Sequence, residues 1–191
     1  INWLGEDFSI IADSGDNPTA GGVGDRVDVL KAILELNIKD VLFAGIASKS
    51  SYDELKKGNQ FNLGGSFGGG GASLKLTADD VYFENHCAVV KVKNTTIVIS
   101  ELRRSFHNLA DFDLLKINLK DFQLLVVKSG YLSPELQELS VPSFMVLSNG
   151  AVNQDLSTIK NIHRKKQIFP FQDVGQFIPE VSNGLKVLPC H

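Results

Sequence analysis

The chain is poor in the residues that build metal sites and disulfide frameworks. Its 191 residues include two cysteines, four histidines, one methionine and one tryptophan. Cys87 and Cys190 are too far apart for a C-x-x-C ligand pair, and they imply neither a disulfide framework nor a zinc site. His86 adjoins Cys87, but neighbours on a strand point to opposite faces. His107, His163 and His191 stand alone. No metal site and no catalytic residue are therefore expected within this chain. Long apolar runs are also missing: none approaches the ~20 residues that cross a bilayer, and the start lacks the basic and apolar regions of a signal peptide. A cytoplasmic location without a membrane partner is expected. Neither charge sign dominates, with 19 Lys and Arg against 22 Asp and Glu. A nucleic-acid partner normally requires a basic face and is not expected. The run His163-Arg164-Lys165-Lys166 reads as a solvated surface segment.

At 43% apolar and 21% charged residues, the chain reads as one domain over 1–191, with a core of about 8–173. Its densest concentration of turn-forming and ligand-capable residues is Asp13-Ser14-Gly15-Asp16-Asn17-Pro18-Thr19-Ala20-Gly21-Gly22-Val23-Gly24-Asp25. An apolar run at 8–12 precedes it, and a helical pattern follows in which Val27, Leu30 and Leu34 share a face. The stretch is therefore a strand-to-helix loop. Gly21, Gly22 and Gly24 permit positive φ or close backbone approach, and Asp25 is placed to accept the free amides of the helix's first turn. Asp13, Asp16 and Asn17 either face a ligand or close the turn; spacing alone leaves both readings open.

Further along, the pattern predicts strand 7–12, helix 25–36, strand 40–46, and a short helix capped by Ser48 or Ser50 and stopped by Gly58. The first three elements make a βαβ unit, whose crossover favours parallel strands. The glycine-rich 62–71 segment lacks a Gly-Lys-Ser/Thr ending and a following helix, so it reads as a flexible loop rather than a phosphate loop. From Ala72 to Ser100 the alternating, β-rich pattern predicts short antiparallel strands, with a hairpin turn at Lys93-Asn94-Thr95. A second α/β unit follows: helix 108–116, strand 122–128, helix 133–139 and strand 143–147. The fold class is α/β, a mixed sheet built from βαβ units with an inserted antiparallel β segment. Ligands in open α/β sheets bind beyond the carboxyl ends of strands, which brings the 13–25 loop and Lys128 to one edge. Lys128 either neutralises Asp13 or Asp16 or contacts substrate. Arg103 and Arg104 lie where a strand gives way to a loop; their planar forks suit a carboxylate, whether a substrate's, one of this chain's own acids or a group on another domain.

Five segments, in order, resemble the C-terminal domain of the MlrC family, named for the microcystin-degradation protein MlrC. Asp13 through Pro18, with Gly21-Gly22 and Gly24-Asp25, resembles the family's aspartate-asparagine-proline-glycine motif. Ile99 through Phe106 resembles its serine-arginine-arginine segment, and Val126 through Tyr131 its strand ending in valine-lysine-serine. Leu147 through Leu156 resembles the glycine-alanine-threonine-aspartate segment, and Arg164 through Phe171 the closing arginine-proline-x-x-proline-leucine-aspartate. The match spans about residues 8–173. Where the family usually reads glycine-glycine-lysine, this chain has Ser66 after Gly64-Gly65, which puts a shared substrate specificity in question.

The resemblance implies a hydrolase in which zinc, held by glutamate, aspartate and histidines of a larger N-terminal domain, polarises a carbonyl and activates water for amide hydrolysis. That domain does not occur in this chain, so the isolated piece is expected to bind no zinc and to be inactive. The start at Ile1 and the single methionine, Met145, fit an excised or processed domain. Asp13, Asp16, Asn17, Gly21, Gly22, Asp25, Arg103, Arg104 and Lys128 are the expected substrate-orienting or domain-docking residues. The implied partners are the N-terminal domain and a small peptide, with a homo-oligomer as a way to cover the exposed interface. Two other classes stay open: a non-catalytic binding, interdomain or oligomerisation module, and, on the glycines alone, a nucleotide-binding domain.

Overall fold

The computed structural model describes residues 8–159. Its elements are β1 (Ser9–Asp13), α1 (Asp28–Glu35), β2 (Val41–Ala47), α2 (Lys49–Leu55), β3 (Gln60–Leu63), β4 (Leu74–Thr77), β5 (Asp80–Glu84), β6 (Cys87–Val92), β7 (Thr95–Ser100), α3 (Leu109–Asp113), β8 (Leu124–Val127), α4 (Pro134–Glu138) and β9 (Ser143–Val146). The chain divides into two compact units, Ile1–Gln154 and Asp155–His191. The second is described only over 155–159, which includes a 3-10 turn at Leu156–Thr158. The Arg164–Phe171 motif, His163, His191 and Cys190 lie outside the described residues.

Seven strands form one sheet in the order β5-β6-β7-β2-β8-β1-β9. From β7 to β9 all neighbours are parallel, while β5, β6 and β7 are antiparallel. This is the expected mixed α/β sheet with an inserted antiparallel segment. The first βαβ unit does run parallel, but its strands are not neighbours, because β8 lies between β1 and β2. The antiparallel part is made of tight hairpins. Glu84 pairs with Cys87 across Asn85 and His86, whose φ of 45° and 59° suit a type I′ turn. Val92 pairs with Thr95 across Lys93-Asn94, as the pattern predicts.

Strand alternation splits the core between the two sheet faces. Val41 and Phe43 join Leu30 and Ile33 of α1, Leu55 of α2 and Phe61 of β3 in one cluster. Leu42 and Ala44 join Phe112 of α3 and Leu136 of α4 in the other. Central β8 is buried along its whole length, as its continuous apolar run requires. Within β2 the register with β7 shifts between Phe43 and Ile46. Gly45, at φ 90°, makes this bulge, and a Cβ there would meet the Phe106 ring at 3.0 Å. The bulge returns Ile46 to the same face as Phe43. Ser48 caps α2 by accepting from the Ser51 amide.

Candidate functional site

Because β1, β2, β7, β8 and β9 are parallel, the loops that leave their carboxyl ends gather at one edge of the sheet. β1 supplies the 13–25 loop, β7 supplies Arg103 and Arg104, β8 supplies Lys128 to Leu132, and β9 supplies Ser148 to Gln154.

Lys128 ties two of these loops together. Its Nζ stands 3.0 Å from Asp13 Oδ2 and 3.3 Å from Asp16 Oδ2, and all three side chains are at most 3% exposed. Asp16 is saturated further: Oδ1 accepts from the Gly24 amide at 2.9 Å and Oδ2 from the Arg26 amide at 2.8 Å. Asp13 Oδ1 accepts from Ser148 Oγ, which itself accepts from the Gly15 amide at 2.9 Å. A buried pair of carboxylates on one ammonium survives desolvation only when the remaining lone pairs are filled in this way. The arrangement anchors loops, and both carboxylates are fully engaged inside the protein.

Asn17 caps the 3-10 turn Pro18–Ala20, its Oδ1 accepting from Thr19 N at 2.9 Å and Thr19 Oγ1 at 2.7 Å. Its carbonyl accepts from Gly22 N at 2.8 Å. Gly21 is exposed at φ 101°, whereas Gly22 is buried, and a Cβ there would lie 2.7 Å from the Asn17 carbonyl oxygen.

Asp25 does not cap α1. The N-cap position belongs to Val27, which has no side-chain cap. Asp25 is wholly buried, and its Oδ2 accepts from Phe67 N at 2.6 Å and Gly69 N at 3.3 Å. Arg26 adds a bond to the Gly69 carbonyl at 2.9 Å, and Asp28 one from the Ala72 amide at 3.1 Å. The glycine-rich 64–71 segment is thus fastened to the motif loop by backbone contacts, where its composition alone reads as a flexible loop. Only glycine allows this approach, since a Cβ on Gly69 would lie 2.0 Å from Asp25 Oδ1. Among the described residues that Oδ1 is one of two buried side-chain polar atoms without a hydrogen bond.

The arginines part ways. Arg103 is exposed and donates to the Gly22 carbonyl at 3.3 Å, so it stands beside the motif loop. Arg104 pairs with Asp111 at 3.1 Å, lies over the Phe106 ring and reaches Cys87 Sγ at 3.7 Å. Burial pushes the Cys87 thiol above its usual range. Below Arg103, Glu101 bonds Lys49 at 2.8 Å and His86 at 3.1 Å; these partners, Lys49 foremost, hold its carboxyl below the ordinary range.

The structure therefore brings Asp13, Asp16, Asn17, Gly21, Gly22, Lys128 and Arg103 to one edge, joins Asp25 to them through the 64–71 segment, and directs Arg104 inward to Asp111. Sequence reasoning missed Ser148 and Gly150 as parts of this edge. A Cβ on Gly15 would lie 1.9 Å from the Ser148 carbonyl oxygen, and one on Gly150 the same distance from the Gly15 carbonyl oxygen. The Ser-Asn-Gly turn signal at 148–150 was visible, but its packing against a loop over 130 residues earlier was not. The edge also exposes apolar side chains: Leu102 is 68% exposed, Tyr131 77% and Leu147 55%. Among the described residues, no three His, Cys, Asp or Glu side chains gather to hold a metal. No helix there is long and apolar enough to cross a membrane.

No curated protein matches the chain. A solved structure described as a "putative metallopeptidase" from Mesorhizobium sp. BNC1 shares the fold with a TM-score of 0.71 at 15% identity. The match covers 93% of this chain and 40% of that one. The family described as MlrC C-terminus matches residues 11–163, and the chain belongs to it.

Proposed function

We propose that this chain is the C-terminal domain of an MlrC-like zinc metallopeptidase and walls the substrate cleft beside a metal carried by another domain. Family membership over most of the chain supports the reading, as does the neighbour described as a "putative metallopeptidase", of which the match covers 40%. The observation that carries it is the Lys128–Asp13–Asp16 cluster, which welds the loops of two strands into one rigid edge. A rigid rim of loops at the carboxyl ends of parallel strands suits the positioning of a substrate. The described side chains of this domain do not fit a zinc ion: the two closest carboxylates already hold an ammonium and three amide or hydroxyl donors apart from it. Zinc supplied from elsewhere would polarise the scissile carbonyl; this chain's part is to bind and orient. Peptide hydrolysis by the full-length protein, compared with the protein lacking residues 1–191 of this chain, tests the proposal. Loss of turnover, or a large rise in KM, on removal of the domain is expected. Equal kcat/KM with and without it refutes the cleft role.

A second reading, an interdomain or oligomerisation module, draws on the exposed Leu102, Tyr131 and Leu147 at the same edge. Under that reading the full-length protein retains its catalytic constants when Arg103 or Asn17 is replaced, while its assembly state changes.

A further inference from the structure

Asn17 has a free end. Its Oδ1 is committed to Thr19, which orients the amide and leaves Nδ2 without a hydrogen bond among the described residues; the residue is 5% exposed, but Nδ2 is not one of the fully buried unpartnered atoms. Among the described residues the Gln154 side-chain amide makes no hydrogen bond either, and both lean over Gly130, the second residue after Lys128. A Cβ on Gly130 would lie 3.0 Å from Gln154 Nε2 and 3.2 Å from Asn17 Nδ2. Two donor groups thus flank buried Gly130, close enough that a Cβ there would press on both. Beside it lies a cavity of about 300 Å³, lined by Ala12, Gly130, Tyr131, Leu132, Phe144 and Met145 among others.

Resting on the peptidase reading, we propose that Asn17 Nδ2 and the Gln154 amide bind a peptide carbonyl oxygen over Gly130 while the adjoining apolar side chain of that peptide enters the cavity. The chemistry selects the ligand. Uncharged amide donors suit a carbonyl oxygen. A dianion such as phosphate is disfavoured, because the neighbouring cluster sets one ammonium, Lys128, against two carboxylates, Asp13 and Asp16. The cavity wall is mainly aliphatic and aromatic, with room for one apolar side chain.

The test is an amide-detected NMR titration of the 191-residue chain with N-acetyl-L-phenylalaninamide, with N-acetyl-L-phenylalanine and inorganic phosphate as comparison ligands. A fragment this small should bind with a Kd on the order of 1 mM. Shifts centred on the Asn17 side-chain amide, Gly130 and Tyr131 are expected, with the neutral amide at least as tight as the acid and phosphate without effect. Asn17→Asp keeps the oxygen that caps Thr19 but removes the donor, so in the folded protein it should weaken binding roughly tenfold or more, with the melting temperature read in parallel because a further carboxylate beside Asp13 and Asp16 should lower it. Gly130→Ala should abolish binding by filling the space. Wild-type affinity in Asn17→Asp, stronger binding of phosphate at these residues, shifts confined to other parts of the surface, or no shift at millimolar ligand would each overturn the subsite. These outcomes are separate from the fate of the peptidase reading, which stands or falls on hydrolysis by the full-length protein.

Discussion

Gly150 packs against the backbone of Gly15, whose carbonyl fills the space a side chain at 150 would need, while the space a side chain at 15 would need is filled by the Ser148 carbonyl. Replacement of either by alanine drives a Cβ to within 1.9 Å of a carbonyl oxygen. Backbone cannot swing away as a side-chain tip does, so Gly15→Ala and Gly150→Ala should each cost about 3 kcal/mol, the upper part of the range for overpacking. Urea denaturation measures this, and a loss below about 1 kcal/mol would show that the two loops separate easily.

Lys128→Met should destabilise by about 3–5 kcal/mol, because it leaves two buried carboxylates facing an apolar side chain. Asp16→Ala should cost less, roughly 2 kcal/mol, since it strands the Gly24 and Arg26 amides but leaves Asp13 on the ammonium. In the full-length protein, the folded fraction of Asp16→Ala should keep near-normal kcat/KM. A tenfold or greater fall in kcat/KM with unchanged stability would instead make Asp16 a substrate-orienting group.

Asp25→Ala should release the 64–71 segment. Hydrogen exchange at the Phe67 and Gly69 amides, whose acceptor is the Asp25 carboxylate, should speed up while exchange in β2 and β8 stays slow. Unchanged protection at both amides would mean that the glycines hold their conformation without the carboxylate.

The Lys49–Glu101–His86 link should respond to acid. The Glu101 carboxyl lies below its ordinary range, so the stability it contributes is present above the unfolded-state pKa and disappears as pH falls through the lowered folded-state value. The stability difference between wild type and Glu101→Gln should therefore shrink below the normal carboxylate range. As the groups are at the surface, the effect should be small and should fade with added salt. A difference that stays constant from neutral pH to strong acid would rule out the link.

Cys87 should resist thiol reagents in the native state, being wholly buried with its thiol pushed up by burial. In a Cys190→Ser background, Ellman's reagent should react only on unfolding. Rapid native reaction would show that the Arg104 contact opens readily.

Much of this architecture is legible in the residues because it is local. The periodicity around Val27, Leu30 and Leu34, the apolar run at 122–127 and the turn signal at Lys93-Asn94 each report on a few neighbouring positions, and the elements formed where those patterns lie, within a few residues at their ends. Helix α1 starts at Asp28 rather than 25 because Asp25 and Arg26 are drawn to the 64–71 segment. Even the meeting of Lys128 with the 13–25 loop follows from a general rule about parallel sheets.

What the sequence determined by itself, then, was the class of fold, the order of its elements apart from β3, and the family. Tertiary structure alone decided which strands became neighbours and which polar groups found which partners. A crossover sets strand direction but not how many strands it skips, so the insertion of β8 between β1 and β2 has no local signature. An aspartate's reach is likewise indifferent to sequence distance: Asp25 could have capped the helix three residues on, but its carboxylate lies on amides more than forty residues away. Hydrogen bonds and ion pairs are satisfied by proximity in space, and only the packed sheet brings Lys128, Asp13, Asp16 and Ser148 within reach of one another.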